Sequence, residues 1–402
     1  MTALPTPEDI SAARQLLDGV AVLTPMEESR WLSALTGGPV SLKCENLQRT
    51  GSFKARGAYV RMHNLTAEER AHGVVAASAG NHAQGVALAA QMLGIKATVF
   101  MPEGAPIPKE KATRGYGADV VFHGQYLEHA LAKAREFAAE TGAVLIHPFD
   151  HADIVAGQAS CGLEILEQSP DVETVVVPTG GGGLLAGIAL AIKQQRPDVR
   201  VVGVQAEGAA AYPGSLAAGV PTPLESMQTM ADGIAVGLPG DITFAAVRDH
   251  VDEILTVSEE SLSRALVALM ERAKMVVEPA GAAAVAAILD DPEAFGEPTV
   301  AVLSGGNIDP LLLGKVIRHG MAAAGRYLYL RVTIPDRPGG LALLLTELGD
   351  AAANILEVSH ERISANLALD EVEVRLQMET RGEAHAQQVV SRLRACGYRV
   401  EE

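Results

Sequence analysis

Between about residues 70 and 320, short runs of consecutive apolar residues alternate with longer stretches rich in alanine and leucine. The runs are Val74-Val75-Ala76-Ala77, Ala97-Thr98-Val99-Phe100, Val120-Val121-Phe122, Val144-Leu145-Ile146, Val175-Val176-Val177, Val201-Val202-Gly203-Val204 and Thr299-Val300-Ala301-Val302-Leu303. They are apolar at successive positions rather than at every second one, which predicts parallel strands covered on both faces. The stretches between them, such as His82 to Leu93 and Leu127 to Thr141, predict helices. This part therefore reads as an α/β unit with mostly parallel sheet. Ligands of such sheets bind where strand C-terminal ends meet helix N-termini.

The pattern changes near residue 326. Leu328, Leu330, Val332 and Ile334 take every second position, as do Val372, Val374, Leu376 and Met378. Period-two alternation predicts antiparallel strands with one solvated face. Between them lie a turn at Asp336-Arg337-Pro338-Gly339, a leucine-rich helix from about Gly340 and a strand near Ile355 to Ile363. A second helix, about Glu383 to Cys396, and a short strand at Tyr398 to Val400 complete a βαββαβ order, that of a small ferredoxin-like α+β unit. Gly320, the alanines after it and Gly325 predict a linker over about residues 320–326.

Composition narrows the function classes. With 402 residues, 48% of them hydrophobic and 20% charged, the chain is long enough for two or three globular units. A formal charge of −17 argues against nucleic acid or an anionic membrane surface as partner, while leaving small anions open. Cys44, Cys161 and Cys396 show neither C-x-x-C nor zinc spacing, which predicts reduced thiols and a cytoplasmic protein without a metal site. Met1 to Ile10 carries no basic segment followed by an apolar core, so no secretory signal is expected. Thr174 to Ile192 is uncharged and long enough to cross a bilayer, yet Pro178 and four glycines would break a membrane helix. A buried strand, a turn and a buried helix are predicted there instead.

Candidate chemistry gathers at four places. Thr50-Gly51-Ser52-Phe53-Lys54-Ala55-Arg56-Gly57-Ala58 reads as a loop entering a helix, with Gly51 turning the chain and Ser52 placed to cap the first turn. Lys54 then lies near exposed N–H groups and a positive helix end, beside an apolar ring. Both disfavour the ammonium form, as a Schiff-base lysine requires. For Lys54 alone, a solvated surface lysine is the plain alternative. In Val175-Val176-Val177-Pro178-Thr179-Gly180-Gly181-Gly182-Gly183, successive backbone N–H groups can turn toward one point before a helix, forming an anion nest. Gly181, Gly183 and Ala186 also fit a loose dinucleotide fingerprint, with Glu207 placed for a ribose, which keeps a nicotinamide dehydrogenase as an alternative. Ser78-Ala79-Gly80-Asn81-His82 could hold a carboxylate, and Ser304-Gly305-Gly306-Asn307 puts a hydroxyl at a strand end. Simple helix caps are the alternative for both.

Taken together, Ser52 to Ala58, Ser78 to His82, Gly180 to Gly183 and Ser304 to Asn307 resemble the serine/threonine dehydratases. These are pyridoxal 5′-phosphate enzymes of the tryptophan-synthase β-like fold, also called fold type II. The resemblance covers about residues 5–320, with the motifs in the family's order. It implies that Lys54 carries the cofactor as a Schiff base and takes the Cα proton, that Phe53 packs by the ring and that Asn81 hydrogen-bonds the 3′-oxygen. It implies phosphate binding by the N–H groups of Gly180, Gly181, Gly182 and Gly183, with Ser304 facing the ring nitrogen. Ser78, Ala79, Gly80, Asn81 and His82 would receive the substrate carboxylate. Gly233 and Glu278 resemble positions lining the ring, although Glu278 is equally readable as a helix-start acid beside Pro279.

The implied activity is dehydration and deamination of a small hydroxy amino acid: threonine to 2-oxobutanoate and ammonia, and also serine to pyruvate. The 2-oxobutanoate would feed isoleucine formation or catabolism. Serine racemases share the loop but carry a second serine where this chain has Ala79, and a metal-binding acid after the position of Glu207 that Gly208 to Pro213 lacks. A racemase or another β-eliminating lyase remains the alternative on the same cofactor. Residues 327–402 resemble an ACT domain through Asp336-Arg337-Pro338-Gly339-Gly340-Leu341 and Asn354-Ile355. That implies an amino-acid effector bound between paired modules and a homo-oligomer, dimer or tetramer. A purely structural dimerisation domain, or a non-catalytic sensor, is the alternative. The expected division is a catalytic domain over 1–322, with a smaller subdomain at about 50–148, then the linker and the ACT domain.

Overall fold

The apolar runs form two parallel sheets in the computed structural model, which describes residues 3–323, 325–362 and 367–402. The chain divides into one unit ending at Pro310 and another from Leu311 to Glu402. In the first, the larger sheet has the order Met26–Glu28, Val40–Lys43, Thr299–Val302, Thr174–Pro178, Arg200–Ala206, Glu253–Val257. All its pairings are parallel except that of the edge strand Met26–Glu28. The smaller sheet orders Asp119–Phe122, Ala97–Met101, Val74–Ala77 and Val144–Leu145, all parallel. Val175, Val176 and Val177 are wholly buried, as strands covered on both faces require.

Three strands have no continuous apolar run, for reasons the packing supplies. Met26–Glu28 is a short edge with two exposed residues, and Glu253–Val257 is half exposed. Val40–Lys43 ends in a lysine that is nevertheless fully buried. Its Nζ lies 2.7 Å from Glu164, and Arg56 lies 2.7 Å from Glu164 and 2.8 Å from Glu45. Burial opposes the charge on Arg56, but Glu45 and Glu164 more than restore it and hold the guanidinium above its usual range. Two cations and two anions thus balance inside the protein. They pin the helix Lys54–His63 to the helix Ala152–Gln168, and stranding one partner of such a group costs about 3–5 kcal/mol.

Two local expectations change. Helix Pro310–Ala323 runs through most of the segment read as a linker, and the units divide before it, at Pro310. Gly320 is therefore helical, Ala324 lies outside the described residues, and Gly325, at φ 61°, turns the chain into the next strand. Ser52 does not cap the lysine helix. It is extended at φ −164°, its backbone bridges to Gly305, and Phe53 takes the position before the helix.

The second unit follows the βαββαβ order: Tyr327–Pro335, Gly340–Asp350, Asn354–Glu361, Glu371–Glu379, Glu383–Ala395, Arg399–Glu401. Its antiparallel sheet buries Leu330, Val332, Ile334, Val372, Val374, Leu376 and Met378 against the two helices. Ile363, expected at a strand end, lies outside the described residues. Among the described residues no helix is long and apolar enough to cross a membrane.

Candidate active site

Strand C-terminal ends of both parallel sheets place the candidate residues. Val74–Ala77 leads into Ser78-Ala79-Gly80 and the helix Asn81–Leu93; Thr174–Pro178 leads into the glycines and the helix Gly183–Gln195; Thr299–Val302 leads to Ser304. Lys54 opens its own helix, and the Phe53 N–H donates to the Ser304 carbonyl at 3.2 Å.

Lys54 is partly buried, with Nζ donating to the Pro148 carbonyl at 2.8 Å and lying 5.1 Å from the Phe53 ring centroid. Burial pulls its amine down from 10.5 to about 8, against the opposing pull of Glu278. Among the described residues no carboxylate pairs directly with Nζ. An amine so placed gives up its proton far more readily than a surface lysine, which favours its action as a nucleophile and a base.

The glycine run is packed rather than flexible. A Cβ on Gly180 would come within 2.9 Å of Ile234, one on Gly181 or Gly183 would strike Phe149, and one on Gly182 would strike the Tyr212 hydroxyl. Gly182 also has φ 92°, a left-handed backbone that favours glycine. The Gly181 carbonyl is turned back to accept from Thr243 Oγ1 at 2.7 Å. The N–H groups of Gly180 to Gly183 have no protein acceptor among the described residues. Four donors without a protein acceptor therefore stand together at the start of a helix, an arrangement suited to an anion such as a phosphate. Phe149 follows Pro148, so the segment that accepts from Lys54 also backs this cradle.

Ser304 is only 4% exposed, and its hydroxyl has no protein partner among the described residues. It is not a cap, because no helix begins there. Asn81 opens its helix after Gly80 and points away from the cap position, its Nδ2 donating to Glu278 Oε1 at 2.5 Å. Glu278 does precede Pro279 at a short helical turn, but its carboxylate faces Asn81 instead of the turn's N–H groups. Burial raises that carboxyl to about 7, with nearby Asp232 adding to the effect. Gly233 lies against it: a Cβ there would be 3.5 Å from Glu278 Oε1 and 2.9 Å from Ala280. In the substrate loop, Ser78 Oγ accepts from the Gly80 N–H at 3.1 Å, and Ala79 is partly exposed. The His82 side chain turns away from the loop. It is buried, with Nε2 2.8 Å from the Ile146 carbonyl, and burial together with Lys54 lowers its ring to about 3. A neutral ring turned into the smaller sheet's core leaves only the His82 backbone for the loop.

Several site residues gave no signal in the chain. Lys109, 8% exposed on the helix Ile107–Gly115, pairs with Asp232 at 2.7 Å and lies 3.8 Å from where a Gly80 Cβ would stand. Asn307 was legible only as the end of the Ser304 motif, and its link from Thr50 to Asn81 was not. Phe149, Tyr212 and Thr243 shape the glycine cradle. These partners are far apart in sequence, so no spacing announces them.

A family model described as pyridoxal-phosphate dependent enzyme matches residues 19–305. The chain belongs to that family. Membership sets aside the nicotinamide reading of the glycine run. An L-threonine ammonia-lyase of Thermotoga maritima is 46% identical over 395 residues, covering 98% of each chain. A solved threonine deaminase structure from Solanum lycopersicum is 36% identical with TM-score 0.75, over 80% of this chain and 91% of that one. A maize serine racemase structure is 34% identical with TM-score 0.74, over 80% of this chain and 99% of the racemase. The residues present fit pyridoxal phosphate: a glycine turn with unpaired N–H groups where added Cβ atoms would clash, an unpaired hydroxyl and a lysine amine lowered by burial.

Proposed function

We propose that this enzyme dehydrates and deaminates L-threonine to 2-oxobutanoate and ammonia, and L-serine to pyruvate, in the cytoplasm. The carrying observation is the Lys54 amine, brought down to about 8, held beside a cradle of unpaired N–H groups and the free Ser304 hydroxyl. The likeness to threonine ammonia-lyases over nearly the whole chain supports the substrate class.

Pyridoxal phosphate, when bound, supplies an aldehyde that condenses with amines and a conjugated ring that accepts the electrons of a breaking Cα–H bond. The N–H groups of Gly180, Gly181, Gly182 and Gly183 would hold its phosphate, Lys54 its aldehyde carbon, Asn81 its 3′-oxygen and Ser304 its ring nitrogen. The Ser78 to Gly80 loop and the start of the helix after it would receive the substrate carboxylate, with Lys109 close by. Lys54 Nζ would serve as the base that takes the proton from the substrate Cα. Ser304 offers the ring nitrogen a hydrogen bond rather than a full positive charge, which favours prompt loss of the β-hydroxyl as water. The released enamine tautomerises and takes up water, giving the 2-oxo acid and ammonia. Ala79 places no acid on the opposite side of the substrate, which favours elimination over racemisation.

The second unit is a regulatory ACT domain that senses an amino acid, in a homo-oligomer; its βαββαβ order supports this. The test is release of 2-oxo acid from threonine, serine and 3-hydroxyaspartate, with enantiomer analysis of unreacted substrate. Oxo acid from threonine is expected. D-serine from L-serine without oxo acid would overturn the reading in favour of a racemase.

A further inference from the structure

Thr50, four residues before Lys54, has φ 63° and ψ 10°. For a β-branched residue this is a strained backbone that persists only where surrounding bonds enforce it. Its hydroxyl is buried and unpartnered, so the side chain does not enforce it. The enforcing group is Asn307. Its Nδ2 donates to the Thr50 carbonyl at 2.6 Å and, with its other hydrogen, to Asn81 Oδ1 at 2.8 Å. Gly51, at φ 70°, lies against the same amide, where a Cβ would be 3.0 Å from Asn307 Cγ. The backbone repeats the tie, since the Gly306 N–H donates to the Gly51 carbonyl at 2.8 Å.

These bonds also fix which way the Asn81 amide points. A carbonyl such as Thr50 O can only accept, so the Asn307 atom facing it must be the nitrogen. The same nitrogen faces Asn81, so Asn81 must present its oxygen there. Its own nitrogen then faces Glu278, which accepts at 2.5 Å. One hydrogen on Asn81 Nδ2 remains for a ligand. The order Thr50 carbonyl, Asn307, Asn81, Glu278 has a single consistent direction, set at one end by a backbone carbonyl.

We propose that Asn307 is a positioning residue, whose two amide hydrogens hold the strained Lys54 loop in register with the Asn81 amide so that both meet the bound cofactor correctly. The inference rests on the reading of this site as a pyridoxal-phosphate site. Asn307 itself acts through Lys54 and Asn81.

The test compares the full-length protein with Asn307→Asp and Asn307→Ala. The aspartate variant keeps shape and volume but offers no donors, so Thr50 O and Asn81 Oδ1 would both face a carboxylate oxygen. Four readouts are needed: the melting temperature of the cofactor-free protein, the dissociation constant for pyridoxal phosphate, the visible absorption of the bound cofactor, and kcat and KM for threonine. For a folded aspartate variant, cofactor binding at least tenfold weaker, a displaced absorption maximum and a kcat at least tenfold lower are expected, with KM changing less. Asn307→Ala, read the same way, should show the same pattern. Unchanged affinity, absorption and kcat in either folded variant overturn the proposal. So does failure of both variants to fold, which would make Asn307 structural. The wild-type control separates the two levels: no cofactor binding or no oxo acid from wild type defeats the functional reading, whereas normal wild type with normal variants defeats this inference alone.

Discussion

Lys54 and Glu278 share one buried region and titrate from opposite sides of neutrality. Burial favours the uncharged form of both, lowering the lysine to about 8 and raising the carboxyl from 4.5 to about 7. The folded chain therefore keeps a proton on Glu278 that the unfolded chain has already released. Its contribution to stability is fully present below the unfolded value of about 4.5 and is lost as pH rises through about 7. Glu278→Gln keeps the shape and the hydrogen bond from Asn81 while abolishing the titration. At pH 8 the cofactor-free variant should be more stable than wild type by up to about 3 kcal/mol, the equivalent of the carboxyl's shift. At pH 4 that titration-linked gain should be absent. Lys54 also loses the one acid that raises it, so the pH midpoint for cofactor uptake should move below about 8. Denaturation of both proteins at the two pH values checks this, and an equal stability difference at each would count against it.

At the scale of elements, the site is made by strand ends, and its precision comes from what packs beneath the turns. The glycine run was legible as an anion nest because four glycines between apolar flanks have few other uses. The reason each must be glycine was not legible, since Phe149, Tyr212, Thr243 and Ile234 approach from other elements. Gly182→Ala adds a Cβ at a left-handed backbone and against the Tyr212 hydroxyl. It should cost about 1–3 kcal/mol of stability and weaken cofactor binding at least tenfold. Gly214→Ala, in the helix Ala211–Ala218 with open space around the new methyl, is the control and should be neutral or slightly stabilising. Similar losses in both would mean that the crowding beneath Gly182 is unimportant. Helix starts misled the reading of Ser52, because Ser52 answers to Gly305 across the fold rather than to the helix that follows it. For His82 a motif fixes the position at the helix start, but only packing decides that the ring turns to Ile146.

For the whole molecule, the two grammars of apolar residues, continuous runs and then alternation, separated the parallel sheets from the antiparallel one. Strands escaped that reading where burial is partial, as at Glu253–Val257, or where a charge is buried by ion pairing, as at Lys43. The division between units was displaced because alanine and glycine suit a helix such as Pro310–Ala323 as well as a linker. Every candidate site residue, from Phe53 to Ser304, lies before Pro310. That predicts that the first unit suffices for catalysis. A chain ending at Pro310 should still release oxo acid from threonine, but should lose any change in rate that free amino acids produce in the intact protein. If the shortened chain responds equally, the effector binds in the first unit.

The central claim is that Lys54 holds the cofactor, and borohydride reduction followed by peptide mapping tests it most directly. The purified protein should be yellow, reduction should bleach it, and the pyridoxyl group should be found on the peptide carrying Lys54. A colourless protein supplied with pyridoxal phosphate, or a label fixed instead on another lysine such as Lys109, would contradict the account.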